Sequence, residues 1–150
     1  MVFFESLGSV DPEMIVRLFL AVALGGLIGF ERELTHRPAG LRTHMLVSLG
    51  AAFFTIVSIT FLQDPARVAA GIVTGIGFLG AGSIIALRGH VQGITTAATL
   101  WVVASIGLGV GIGEYALSII GAILVFVILQ VKRVEEKLVT KKNGRTGGLD

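Results

Sequence analysis

The feature that most constrains this chain is glycine crowded into an apolar run of membrane length. From Gly71 the sequence passes through Gly75-Ile76-Gly77-Phe78-Leu79-Gly80-Ala81-Gly82-Ser83. A short basic turn follows, Leu87-Arg88-Gly89-His90, and then Gly93-Ile94-Thr95-Thr96-Ala97-Ala98-Thr99-Leu100-Trp101. In a soluble helix each such glycine costs roughly 1 kcal/mol relative to alanine. In a bilayer the helix must satisfy its own backbone hydrogen bonds, and small residues let helices approach closely. The stretch therefore predicts a membrane protein whose third and fourth spans meet at a tight interior contact.

Composition agrees. Charged residues make up 15% of the chain, against about 25% in soluble domains, while apolar residues make up 53% and mean hydropathy is +0.87. The 150 residues suffice for one helical unit, and the absence of cysteine excludes disulfides and thiolate metal sites. A pI near 9.4 invites a nucleic-acid reading, but the basic residues sit at the edges of apolar runs, so no nucleic-acid partner is expected. Met1 to Glu13 carries Glu5, Asp11 and Glu13 and no basic segment, which predicts no cleavable signal peptide.

The predicted fold is an all-α polytopic transmembrane bundle. A window of about 20 residues gives five spans, approximately 14–30, 41–62, 66–87, 94–112 and 115–131, with 132–150 as a charged tail that frays and ends disordered. An odd number of crossings puts the termini on opposite sides. With the C-terminus in the cytoplasm, ten of the twelve Lys and Arg fall inside, and Arg17 and Arg67 fall outside with Glu5, Asp11, Glu13, Asp64 and Glu114. The positive-inside rule then predicts N-terminus out and C-terminus in, with a bias too strong for dual topology.

Asp11-Pro12-Glu13 and Asp64-Pro65-Ala66 each read as an Asp N-cap followed by Pro at the first helical position. Glu13 can pair with Arg17 four residues on, and Asp64 with Arg67. These outer-face pairs read either as arginines snorkelling to the interface or as gates for a solute.

Gly75-Ile76-Gly77-Phe78-Leu79-Gly80 matches G-x-G-x-x-G, but it lies inside an apolar span, and no Asp or Glu occurs between Asp64 and Glu114. The dinucleotide reading fails on both counts. Helix packing accounts better for the pairs Gly25/Gly29 and Gly71/Gly75, for Gly77, Gly80 and Gly82, and for the four-spaced stripe Gly93, Ala97, Trp101, Ser105, Gly109. The alternative is a third span unwound at its glycines, offering carbonyls to a solute. Trp101 sits too deep for an interfacial belt and is expected against the glycine face of the third span.

Glu31-Arg32-Glu33 ends the first span. Carboxylates at a helix C-terminus oppose its dipole, so they need cationic partners or a task. Arg37, Arg42 and His44 lie near in sequence, and Arg88 and His90 are expected from the next cytoplasmic loop. One reading is a salt-bridge network at the membrane surface. The other is a cation-sensing site with Glu31 and Glu33 as Mg2+ ligands, since Mg2+ favours one or two carboxylates plus water. Arg37-Pro38-Ala39-Gly40 is a rigid turn that brings Arg42, Thr43 and His44 to the start of the second span. His44 is expected to be a satisfied interfacial histidine, with titration near neutrality as the sharper reading. Thr95, Thr96 and Thr99 either bond local carbonyls or line a hydrophilic cleft.

No Asp, Glu or Lys falls in the middle of any span, where ion-coupled transporters tend to keep one despite a cost of at least about 2.5 kcal/mol. No Ser-His-Asp set, H-E-x-x-H or paired intramembrane aspartate is present, so a non-enzymatic protein is expected.

Several of these motifs occur together in one order: Gly29-Phe30-Glu31-Arg32-Glu33, Arg37-Pro38-Ala39-Gly40-Leu41-Arg42-Thr43-His44, Gly75 to Gly82, and Thr95-Thr96-Ala97-Ala98 with Leu100-Trp101. From about Ala23 to Tyr115 the chain resembles the MgtC/SapB family of prokaryotic inner-membrane proteins. The resemblance implies a multi-pass plasma-membrane protein tied to growth in low magnesium and, in some pathogens, to survival inside host cells. It implies either modulation of other membrane proteins or transport of Mg2+ or another small solute. No cofactor is implied beyond Mg2+ as ligand or substrate. Many members carry a soluble C-terminal domain, so this chain is expected to be either a short member of the family or a shortened piece of a longer one. The expected partners are the lipid bilayer, other membrane proteins and further copies of the chain, as a homodimer or larger oligomer that buries glycine faces.

Overall fold

The computed structural model describes residues 11–60, 65–87 and 90–146, with side chains described outside 60, 65, 85–87, 90 and 132–146. Five helices and one hairpin follow in chain order: α1 (Pro12–Leu34), α2 (Leu41–Thr60), α3 (Pro65–Gly82), β1 (Ile85–Leu87), β2 (His90–Gln92), α4 (Ile94–Ile112) and α5 (Tyr115–Thr146). By length and composition α1, α2 and α4 can cross a membrane, and Ala66–Gly82 and Tyr115–Val131 are shorter apolar helices. The architecture is that of a helical membrane protein. Large apolar side chains such as Phe19, Phe54, Phe78 and Ile128 face outward, a surface that a soluble monomer rarely exposes.

The helix boundaries have local causes. Asp11 Oδ1 accepts the Glu13 N–H at 2.9 Å, and Pro12 opens α1 as the sequence predicts. Pro65 is likewise the first residue of α3. The expected partners Asp64 and Arg88 lie outside the described residues. Gly93 and Gly113 flank α4, with φ of +95° and +94°. At the second, Glu114 N–H reaches Gly109 O at 2.9 Å and Gly113 N–H reaches Val110 O at 3.0 Å. This is the Schellman arrangement, which needs a residue at ease in the left-handed region. α5 continues from its apolar half into its charged half as one helix.

The third helix is continuous from Pro65 to Gly82, so it is not unwound at its glycines. It also stops short of the predicted Leu87. β1 and β2 instead pair antiparallel there, with Ile85 opposite Gln92 and Leu87 opposite His90. Their apolar residues look like helix to a hydropathy window. Gly93 decides otherwise, because its left-handed backbone folds closely over the Ser83 carbonyl, where a Cβ would collide.

α4 is the central helix. Val103, Ile106 and Val110 pack with Ala21, Leu24 and Ile28 of α1, Ala52 of α2, and Ala122 and Leu129 of α5. Leu100 and Ala104 pack with Ala51 of α2 and Ile76 of α3. The α3–α4 contact exists, but it runs through Ile76 and through Gly80 against Ala97. At Gly71, Gly75, Gly77 and Gly82 a Cβ would meet nothing within 4 Å among the described residues, so these four glycines make no interior contact with them. Trp101, 47% exposed, does not pack on them either. Side-chain direction explains the difference: α3 turns Ile76 and Gly80 inward and leaves the remaining glycines outside.

The tight approaches lie elsewhere. A Cβ on Gly25 would stand 2.6 Å from His44 O and 2.7 Å from Ser48 Cβ, and one on Gly29 would stand 2.8 Å from Leu41 Cα. A Cβ on Gly107 would strike the Ser48 backbone, and one on Gly111 would lie 2.7 Å from Thr55 Cβ. Gly25/Gly29 was legible as a packing pair. Gly107/Gly111 has the same spacing, but the stripe read from the sequence ran along the neighbouring face of α4. On that face Trp101 and Ser105 are exposed.

Candidate functional site

Polar side chains gather at both ends of the α1–α4 pair, which runs antiparallel. At one end Arg17, half-buried, bonds to Glu13 Oε1 at 2.6 Å, to Gly111 O at 2.8 Å through Nη1, and to Tyr115 Oη at 3.2 Å through Nε. Tyr115 completes the ring by donating to Glu13 Oε1 at 2.7 Å. The predicted Glu13–Arg17 pair is thus part of a clamp across α1, α4 and α5. Arg17 supplies a donor to a carbonyl in the last turn of α4 that the helix itself leaves unsatisfied. Sequence alone did not bring in Gly111 and Tyr115, because they are distant along the chain. Arg67 is exposed, and no described side chain pairs with it.

The opposite end holds the richer cluster. Glu31 and Arg32 close α1 and are 3% and 5% exposed. Arg32 Nη2 donates to Thr96 Oγ1 at 3.0 Å, in the first turn of α4. Its Nε is buried with no hydrogen-bond partner among the described residues. The charges acting on this guanidinium are those of Glu31 and Arg37. Nearby, His44 of α2 is wholly buried. Its Nδ1 lies 3.0 Å from Gly40 O and its Nε2 3.3 Å from Thr99 Oγ1. Thr99 Oγ1 donates in turn to Thr96 O at 2.8 Å. The two threonines at the start of α4 therefore receive one polar group from α1 and one from α2. Both ring nitrogens of His44 thus have partners, and the side chain lies inside the bundle.

The Gly40 carbonyl can only accept, so Nδ1 carries a proton. Nε2 then either accepts from Thr99 or, when also protonated, donates to it while Thr99 donates to Thr96. The cluster can therefore take up a proton without losing a hydrogen bond. Thr43, Arg42, Arg37 and Thr95 are exposed and lie outside this buried set.

Glu33 has a separate task. It is exposed, and its Oε2 accepts the Leu41 N–H at 3.0 Å, the first amide of α2. A carboxylate that opposes the dipole of α1 is favourable at the N-terminus of α2. Between them the chain passes through His36 and Ala39, with φ of 52° and 57°. A left-handed alanine is unusual, and the Glu33 cap holds the turn around it closed. Glu31 and Glu33 thus face different surroundings, one buried and one exposed. Among the described residues no group of three or more His, Cys, Asp or Glu is placed to hold a metal ion. Glu33→Gln, which keeps an acceptor oxygen, is expected to melt with wild type, whereas Glu33→Ala should lower the melting temperature. Mg2+ binding by wild type that Glu33→Gln loses at normal stability would favour cation ligation over capping.

A profile of the MgtC family matches residues 18–138. The "Putative magnesium transporter YhiD" of Escherichia coli (strain K12) is 44% identical over 129 residues, 79% of this chain and 60% of the relative. "Protein MgtC" of Salmonella typhimurium (strain LT2) is 48% identical over 112 residues, 74% of this chain and 48% of the relative. "Protein MgtC" of Brucella abortus (strain 2308) is 48% identical over 110 residues, 72% of this chain and 46% of the relative. The chain thus spans between about half and three fifths of the length of these curated relatives. No solved structure matches it. The matched region contains the helices that carry Arg32, His44, Thr96 and Thr99, and the chain belongs to the MgtC family.

Proposed function

We propose that this protein is a multi-pass plasma-membrane protein of a prokaryote, crossing five times with its N-terminus outside. In this reading it serves magnesium homeostasis as a non-enzymatic factor that binds or modulates other membrane proteins. The observation that supports it best is the close approach of α1, α2 and α4. At Gly25, Gly29, Gly107 and Gly111 the helices leave no room for a methyl group. The polar cluster at Arg32 and His44 joins the three helices to one another through Thr96 and Thr99. That arrangement suits a rigid platform better than a path through the bundle. The magnesium connection rests on the family and on the name of the YhiD relative.

Transport of Mg2+ or another small solute is the second reading, favoured by the burial of Glu31 and Arg32 at one end of the bundle. Against it, the large cavity beside the glycines of α3 has no carboxylate among the described residues that line it. Self-association as a homodimer or larger oligomer belongs to the proposal. The open backbone at Gly77 offers a surface for close helix approach.

The test is complementation of a strain lacking its own family member, grown in low magnesium, with protein in the membrane quantified. Glu31→Gln and Arg42→Ala are expected to lose growth support while the membrane level holds. Full growth with both variants would remove this end of the molecule from the function.

A further inference from the structure

A cavity of about 700 Å³ opens sideways between α2 and α3. It lies within the range of about 300–1,000 Å³ that is usual for small-molecule sites. Its wall is almost wholly apolar: Leu46, Val47 and Phe54 on one side, Ile72 and Leu79 on the other, with Gly71 and Gly75 as its floor. Among the described residues nothing lies within 4 Å of a Cβ placed on either glycine. Among the described residues one charged side chain lines it, Arg67, in the first turn of α3 and without a described partner.

From this geometry we infer that the groove is a binding site for one anionic phospholipid, its acyl chain on Gly71 and Gly75 and its phosphate on Arg67. Three features of the groove select this occupant. The cation stands at one end and the apolar wall extends away from it, the polarity of a lipid. From Arg67 to Leu79 the helix rises about 18 Å, at about 1.5 Å per residue. The hydrocarbon depth of one leaflet is about 15 Å, half of a core of about 30 Å. A guanidinium also suits phosphate through paired N–H donors. A second copy of α3 would bring another Arg67 against the first, whereas a phosphate neutralises it.

The experiment reconstitutes the full chain in an equal mixture of phosphatidylglycerol and phosphatidylcholine, extracts it in mild detergent, and counts retained lipid by native mass spectrometry. Wild type is expected to keep one phosphatidylglycerol per chain in preference to phosphatidylcholine. Arg67→Gln should reduce that preference about fivefold, the effect of one surface cation on anionic lipid. Gly75→Leu places a side chain in open space, so it should keep its helix content by circular dichroism while losing the bound lipid of either kind. Equal retention of both lipids by wild type and Arg67→Gln would overturn the proposal. So would undiminished lipid in Gly75→Leu, or a lipid-free wild-type dimer that Gly75→Leu splits, which would make a second copy the occupant.

Discussion

Gly107→Ala is expected to destabilise the protein more than any other single methyl added to its helices. The new Cβ would fall on the Ser48 backbone, which cannot swing aside as a side-chain tip does. Inserting a methyl into such a contact costs about 1–3 kcal/mol and occasionally more. Membrane helices have little hydrophobic drive to hold them together, so the loss falls on the packing that joins them. The same change at Gly75 meets no described atom within 4 Å. There the usual preference of a helix for alanine, up to about 1 kcal/mol, should leave Gly75→Ala as stable as wild type or slightly more so. Size-exclusion recovery after graded heating in detergent measures both. The packing account fails if Gly107→Ala melts with wild type while Gly75→Ala does not.

Thr96→Val is the second large effect. It keeps the shape of residue 96 and removes the acceptor of Arg32 Nη2, whose neighbouring Nε already has no hydrogen-bond partner among the described residues. Hydrogen bonds to a charged group contribute about 1.5–3 kcal/mol, and a buried guanidinium deprived of one has few alternatives. Thr96→Ser retains the hydroxyl and should recover most of the loss. In the same heating assay, equal melting of the Val and Ser variants would show that the bond contributes nothing.

These two predictions mark what the sequence made legible. Apolar length announced the helices, and Asp11-Pro12, Pro65 and Gly113 announced where three of them start or stop, because caps are local chemistry. Gly25/Gly29 was read correctly, since a pair four apart on an apolar helix has few other uses. Gly71 and Gly75 carry the same local pattern with an open face, and nothing in the pattern says which way α3 turns. The same limit concealed Gly107 from view.

At the polar end, Arg32, His44 and Thr96 were picked out by type. Their pairing was not legible, because Arg32 and Thr96 are distant in sequence and meet only through helix packing. Glu33 was recognised as misplaced for α1. Its task belongs to α2, across a turn with two left-handed non-glycine residues that no propensity predicts.

The most direct measurement is Mg2+ flux into proteoliposomes holding the purified full chain, with Glu31→Gln beside wild type and correct insertion verified. A factor that works through membrane partners should show no flux above empty vesicles in either protein. Flux in wild type that vanishes in Glu31→Gln would contradict that account and put Glu31 on a transport path.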